Sequence, residues 1–195
     1  MSEVVSVIIA TRNRAKILGD SIGSVLKQEC PSGYRFELII VDNNSSDNTR
    51  AVVEGMATLP EWTIKYLFQP EAGKSRCLNL AILKSSGDLL VFTDDDTVAA
   101  PGWLAALIEC FQVHSCDAAG GRVLPLYPPG IPNWVKENVK ILDGPIVFYD
   151  HGPENIQLDA TTMSKFIGAN LAVRREMFDK FGQFNVDLGP GVRTM

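Results

Sequence analysis

A chain of 195 residues, 46% hydrophobic and 21% charged, is long enough for one substantial core. Its formal net charge of −5 argues against a nucleic-acid partner, since binding a phosphate backbone needs a basic face. The four cysteines, Cys30, Cys77, Cys110 and Cys116, form no C-x-x-C pair and no zinc-ligand spacing, so free, mostly buried thiols and a cytoplasmic location are expected. Met1-Ser2-Glu3 leads straight into a strand-like run, without a basic and apolar leader. No apolar stretch approaches the roughly 18 residues of a membrane helix.

Val4 to Ala10 is β-branched and nearly continuous, the pattern of a parallel strand. Ala15 to Gln28 carries Ile17, Leu18, Ile22, Val25 and Leu26 at helix spacing. Phe36 to Val41 reads as the second strand and Thr49 to Leu59 as a helix capped by Asp47 or Asn48. Thr63 to Phe68 is a strand, Gly73 to Ser85 a helix, Leu89 to Thr93 a strand and Pro101 to His114 a helix. This alternation predicts an α/β fold with a mostly parallel, Rossmann-like sheet and helices on both faces. Beyond Ala118 the pattern loosens. Strands are expected over 119–123, 146–149 and 166–173, and a short helix over 175–181. Pro125 to Pro132, with four prolines, is irregular.

Three polar clusters follow three of these strands: Thr11 to Arg14, Asp42 to Asn48, and Asp94-Asp95-Asp96. In a parallel sheet all three lie on one edge, where such folds place ligands. Asp42 can accept from a ring N–H of a base, and Asn13 can add an amide contact. Side chains at i and i+2 of an extended segment share a face, so Asp94 and Asp96 can share one hard cation while Asp95 faces elsewhere. Lys74 and Arg76 follow Gly73 at a helix start, a place suited to phosphate, although a solvated basic turn would look the same.

With these residues in view, the chain resembles the family 2 glycosyltransferases of the GT-A fold. The matching segments run from Val5 to Arg14, Glu37 to Thr49, Gly73 to Asn79, Gly87 to Asp96 and Gly168 to Arg175, in the family's order and spacing. The resemblance implies transfer of a sugar, with inversion, from a UDP- or GDP-sugar to a hydroxyl of a saccharide or lipid-linked acceptor. It implies Mn²⁺ or Mg²⁺ as cofactor and a place in polysaccharide biosynthesis. Peripheral contact with the inner face of a membrane is compatible with it. It places Thr11 and Asn13 along the nucleotide, Asp42 at the base and Asn79 beside the diphosphate. Asp94, Asp95 and Asp96 become the D-x-D motif, with Asp96 as direct metal ligand and Asp94 on the ribose side. Gly168, Ala169 and Asn170 would line the donor sugar and acceptor. The whole chain, 1–195, is expected to be a single GT-A domain, with a nucleotide-binding half at 1–100 and an incomplete acceptor-side half at 101–195.

Two positions depart from the family pattern. Leu78 stands where an Arg often precedes the Asn, so Arg76 is expected to serve instead. The Glu-Asp pair that supplies the general base does not follow, and a C-terminal truncation is expected. Asp187 is the one late carboxylate that could replace it, against the simpler reading of a turn-capping loop residue. His151 could ligate a metal but sits in a turn-like stretch, and His114 closes a helix. Trp134 could stack on a sugar or anchor its loop, with the anchor favoured. Two other readings of the chain remain open. One is a nucleotidyltransferase, although Thr11 to Arg14 lacks the glycines that class favours. The other is a nucleotide-sugar-binding fragment without turnover.

Overall fold

The computed structural model describes residues 3–57, 59–142, 146–159, 161 and 166–189. The β-branched runs become four parallel strands: β1 (Glu3–Thr11), β2 (Tyr34–Asp42), β3 (Trp62–Phe68) and β4 (Leu89–Asp94). Two short strands extend the sheet, β5 (Ala118–Gly120) and β6 (Leu171–Arg174). β6 runs antiparallel to β4, and β5 antiparallel to β6, giving the order β3-β2-β1-β4-β6-β5.

Both faces of the central strands are buried, which is why their sequences are continuous rather than alternating apolar runs. Val5, Val7, Ile9, Phe36, Leu38, Ile40 and Val91 pack on one face, beneath α1 (Ala15–Leu26), α2 (Thr49–Glu54) and α4 (Trp103–Val113). Ile8, Ile39, Val41, Leu90 and Phe92 pack on the other, beneath α3 (Lys74–Lys84) and α6 (Arg175–Phe181). Helices therefore cover both faces, as the alternation of elements requires. No helix among the described residues is long and apolar enough to cross a membrane.

Several boundaries differ from expectation. α2 stops at Glu54 instead of Leu59, because Gly55 interrupts it and glycine is a poor helix interior residue. β5 ends at Gly120, where an added Cβ would lie 2.8 Å from Asn170 O, so this chain crossing admits only glycine. Of the strand expected over 146–149, Tyr149 forms an isolated bridge to Val123. β6 starts at Leu171 rather than Phe166, because residues 167–170 close a turn through the Asn170 N–H to Ile167 O bond (3.0 Å). A short helix, α5 (Asn133–Glu137), follows the prolines. Its buried residue is Val135. Trp134 is 59% exposed, so the indole does not anchor the loop. His151 packs edge-on against the Tyr149 ring at 4.6 Å.

A buried polar knot ties the amino ends of the strands together. Glu37 accepts from Ser6 Oγ (2.5 Å), Lys65 Nζ (2.5 Å) and the Ser86 N–H (2.6 Å). Ser6 Oγ in turn accepts from the Gly87 N–H, and Arg175 Nε donates to Gly87 O at 2.7 Å. Burial pushes the Glu37 pKa up. Lys65, Ser6 and Ser86 outweigh that and hold the carboxyl below its usual range.

Two outcomes follow from the knot. A Cβ on Gly87 would lie 2.4 Å from Ser6 Oγ and 2.8 Å from Val4 O, so Gly87→Ala should lose about 1–3 kcal/mol in urea unfolding. Because the folded-state pKa of Glu37 is lowered, its contribution is complete above the unfolded value of about 4.3 and is lost as pH falls through the folded value. Stability of the wild type should therefore decline below that pH more steeply than that of Glu37→Gln. Parallel pH curves would show that Glu37 is not coupled to folding.

Candidate functional site

Sheet register alone brings the three polar clusters together. Thr11 lies opposite Asp42, and Ala10 opposite Asp94, so the carboxyl ends of β1, β2 and β4 form one row. The strand order reverses between β1 and β4. Open α/β sheets place their ligands at such a switch point.

Asparagine and aspartate side chains stitch the first two loops into one surface. Asn13, in the left-handed region at φ 53°, accepts from the Ser46 N–H at 2.8 Å, and its own N–H donates to Ser45 Oγ at 2.9 Å. Asp47 accepts from the Ala15 N–H at the start of α1 and from the Thr49 N–H at the start of α2, both at 3.0 Å. Asp47, rather than the Asn48 side chain, therefore satisfies that helix end. Asn43 reaches the other way. Its amide donates to Gln69 O and Glu71 O and accepts from the buried Gly73 N–H at 2.9 Å, which fixes the approach to α3.

Asp42 is 2% exposed. One oxygen accepts from the Ser45 N–H (2.8 Å) and the other from Tyr66 Oη (2.7 Å). Burial, and then the hydrogen bond to Asp42 and that carboxylate's charge, push the Tyr66 hydroxyl up to about 12, so it stays a donor. Arg50 lies over the Tyr66 ring at 5.5 Å. The strand pattern alone does not single out Tyr66. The signal lay in pairing: it faces Ile40, two residues before Asp42, on the next strand.

The three aspartates do not alternate as an extended segment would. β4 ends at Asp94, and Asp95 and Asp96 enter a turn closed by Thr97 Oγ1 donating to Asp94 O (2.7 Å). The extended geometry assumed for the triplet is therefore absent beyond Asp94, although Asp94 and Asp96 both remain at the crevice. Arg14 Nη1 bridges Asp95 (3.2 Å) and Asp96, whereas Asp94 pairs with Lys74 Nζ. Burial raises the Asp95 pKa, with Asp96 and Asp94 adding to it; the Thr11 hydroxyl dipole and Arg14 oppose the rise. Thr11 Oγ1 itself is buried and makes no hydrogen bond of normal geometry.

Polar residues along α1 and just beyond its end hold this turn in place. Ser21 Oγ donates to Asp94 O (3.0 Å), Ser24 Oγ accepts from the Ala99 N–H (2.9 Å), and Gln28 bonds Ala100 O and the Leu104 N–H. The apolar stripe that marks this helix in the sequence gives no sign of them. From the other side, Thr93 Oγ1 contacts Thr97 Oγ1 (2.8 Å) and donates to Ala169 O (3.0 Å). That brings Ala169 and Gly168 to the site, and Gly168 has open space where a Cβ would lie.

Other nominated residues are engaged elsewhere. The Asn170 amide bonds Trp103 Nε1 (2.9 Å) and Arg122 O (3.0 Å), which locks α4 to the chain after β5. Asn79 donates to Phe184 O (2.8 Å) and accepts from the Phe184 N–H (3.0 Å). Arg76 pairs with the exposed Glu71 at 2.8 Å. Ser75 Oγ donates to Leu188 O (2.9 Å), so residues 184–188 run along α3 toward its amino end. Asp187 rides on this segment, exposed, within a turn made by its N–H and Asn185 Oδ1 (2.9 Å).

The donor set suits a hard cation that takes most of its oxygens from a ligand. Asp96, with its side chain half exposed, and Asp94 are the carboxylates available at the crevice. No three acidic, His or Cys side chains among the described residues form a protein cage, so His151 completes none. Mg²⁺ is commonly held by one or two carboxylates plus substrate phosphates, and octahedral oxygen sites also suit Mn²⁺.

Comparison with known proteins gives this geometry a context. The profile of Glycosyl transferase family 2 matches residues 6–182. The succinoglycan biosynthesis protein ExoM of Rhizobium meliloti is 30% identical over 119 residues, which cover 61% of this chain and 38% of that protein. The chain thus spans well under half the length of that relative. Among solved structures, a Pyrobaculum calidifontis mannosyltransferase, PcManGT, in complex with GDP-Man and Mn²⁺ superposes with a TM-score of 0.66. Identity is 23%, and the match covers 96% of this chain and 49% of that one. TarS 1–349 of S. aureus in complex with UDP superposes at 0.69 with 22% identity, covering 95% and 51%. At these identities the likeness shows the fold, which is that of GT-A glycosyltransferases.

Asn79→Ala should unpin the Phe184 segment. Two peptide groups lose partners, at about 1–3 kcal/mol for a buried group left unsatisfied. Chymotrypsin should then cut near Phe181 and Phe184 faster than in the wild type, with nucleotide affinity unchanged. Unchanged cleavage together with lost nucleotide affinity would instead return Asn79 to the diphosphate.

Proposed function

Because the chain belongs to glycosyltransferase family 2, we propose that it binds a UDP- or GDP-sugar at the carboxyl ends of β1, β2 and β4 and transfers the sugar, with inversion, to an acceptor hydroxyl. The observation that carries this reading is the register of Thr11, Asp42 and Asp94 at the switch point of the sheet. Residues 1–100 form the donor half of the proposed domain and 101–195 its acceptor side. The proposed setting is the cytoplasmic side of a membrane, with a saccharide or lipid-linked acceptor.

Each residue has a chemical task in this reading. Asp42 still has unused lone pairs beside Ser45 and Tyr66, and accepts from the ring N–H of uracil or guanine. Thr11 and Asn13 shape the wall along the nucleotide. Lys74 offers a positive charge to the phosphates. Asp96 and Asp94 would hold Mn²⁺ or Mg²⁺, which when bound supplies charge compensation for the departing diphosphate. Gly168 and Ala169 leave room for the sugar. The acceptor oxygen bonds to the anomeric carbon from the face opposite the diphosphate, the old C–O bond breaks, and the configuration inverts. The acceptor proton passes to a base, for which Asp187 is the candidate.

Calorimetry with UDP, GDP and ADP, with and without Mn²⁺, tests donor binding. UDP and GDP should bind more tightly than ADP, because adenine offers no ring N–H to the remaining Asp42 lone pairs and forfeits a hydrogen bond to a charged group worth about 1.5–3 kcal/mol. Asp96→Ala should weaken Mn²⁺-dependent binding by about 2–4 kcal/mol. Equal affinity for ADP, or an unchanged Asp96 variant, would contradict the reading. In a transfer assay Asp187→Asn should lower the rate about 10²–10⁴-fold while leaving donor affinity intact. A rate equal to wild type would remove Asp187 from the chemistry.

A further inference from the structure

Three contiguous carboxylates at the site are matched by two built-in cations, and the two are placed differently. Lys74 serves Asp94 alone, whereas a single guanidinium nitrogen of Arg14 serves both Asp95 and Asp96. One positive charge against two carboxylates leaves this turn one negative charge in excess.

The backbone of Arg14 is fixed on both sides. Its carbonyl accepts from the Ile17 and Leu18 N–H groups of α1 (3.1 and 3.0 Å), Asn13 is held by Ser45 and Ser46, and the Ala15 N–H is held by Asp47. Only the side chain is free to move, and it is 45% exposed. Of its two partners Asp95 is buried and Asp96 is half exposed, so Asp96 is the one it can give up to solvent or to a cation.

From this geometry we infer that Arg14 is a resident counterion of the Asp95–Asp96 turn, that it releases Asp96 when a divalent cation enters, and that it then pairs with the donor diphosphate. The inference rests on the donor-and-metal reading above. Arg14 cannot lose its proton, so it answers an incoming cation by moving. Once released, its planar fork lies in the same crevice, where phosphate oxygens accept paired N–H bonds. Arg14 is thus a positioning residue with two successive partners.

The two roles have opposite signatures, which a purely structural side chain would not produce. Free Mn²⁺ can be followed by electron paramagnetic resonance during titration of the full chain, with and without UDP. Arg14→Gln should bind Mn²⁺ alone about 3- to 10-fold more tightly, because a competing charge is gone. The same variant, at saturating Mn²⁺, should bind UDP about 3- to 10-fold more weakly. Arg14→Lys should return Mn²⁺ affinity to the wild-type value and recover only part of the UDP affinity. Since Arg14→Gln leaves Asp95 unpaired, the same comparison is made in an Asp95→Asn background, where both shifts should recur. Unchanged or weaker Mn²⁺ binding in both backgrounds overturns the counterion role. Unchanged UDP affinity overturns the handover. If the wild type takes up no Mn²⁺ with either UDP or GDP, the donor reading itself falls and the Arg14 inference with it. That result differs from a wild type that binds Mn²⁺ and UDP beside variants that match it.

Discussion

The edge of this sheet holds together because opposite charge stands against Asp94, Asp95 and Asp96. Three adjacent carboxylates at the end of a buried strand repel one another, and burial makes each charge costlier. Asp95 carries most of that cost, and its pKa is raised chiefly by burial. Arg14 and Lys74 offset it from two different loops, one after β1 and one at the start of α3. The pairing therefore does two things. It makes the acidic turn tolerable, and it draws the loops that would surround a nucleotide toward one point.

Around that charge cluster, asparagine acts as a substitute for backbone. An Asn side chain carries both a donor and an acceptor, so it can complete a peptide-like pair where no strand is available. Asn43 does this between the second loop and α3, Asn79 with Phe184, and Asn170 between Trp103 and Arg122, while the Asn13 side chain accepts from Ser46 and its backbone N–H donates to Ser45. Irregular segments that would leave unpaired peptide groups are held to the sheet in this way. The knot of Glu37, Ser6 and Lys65 does the equivalent work at the opposite edge.

Much of the fold was legible because burial on both faces writes itself into sequence as continuous apolar runs. β1, β2 and β4 and their polar ends were placed on that basis, and their convergence followed from parallel topology. What escaped the reading depended on partners far along the chain. Asn79 meets Phe184 across 105 residues, and Asn170 meets Trp103 across 67. A motif position tells that an amide is wanted there, but not which group it serves. The Asp95–Asp96 turn escaped for a different reason. Side-chain alternation holds only while the strand continues, and β4 ends at Asp94, two residues short of Asp96. Local signals also set helix ends that a pattern of apolar residues overruns, as Gly55 does for α2.

The central claim is that residues 11–14, 42–48 and 94–96 form one metal-and-nucleotide site, although each cluster follows a different strand. Paramagnetic broadening by Mn²⁺ in amide spectra of the chain, recorded with and without UDP, tests it most directly. The account predicts that broadening in the presence of UDP centres on Asp94 to Thr97, Thr11 to Arg14 and Gly73 to Ser75, and that Asp96→Ala abolishes it. Broadening centred on the separate cleft lined by Cys110, His114, Cys116 and His151, or broadening indifferent to Asp96, would contradict it.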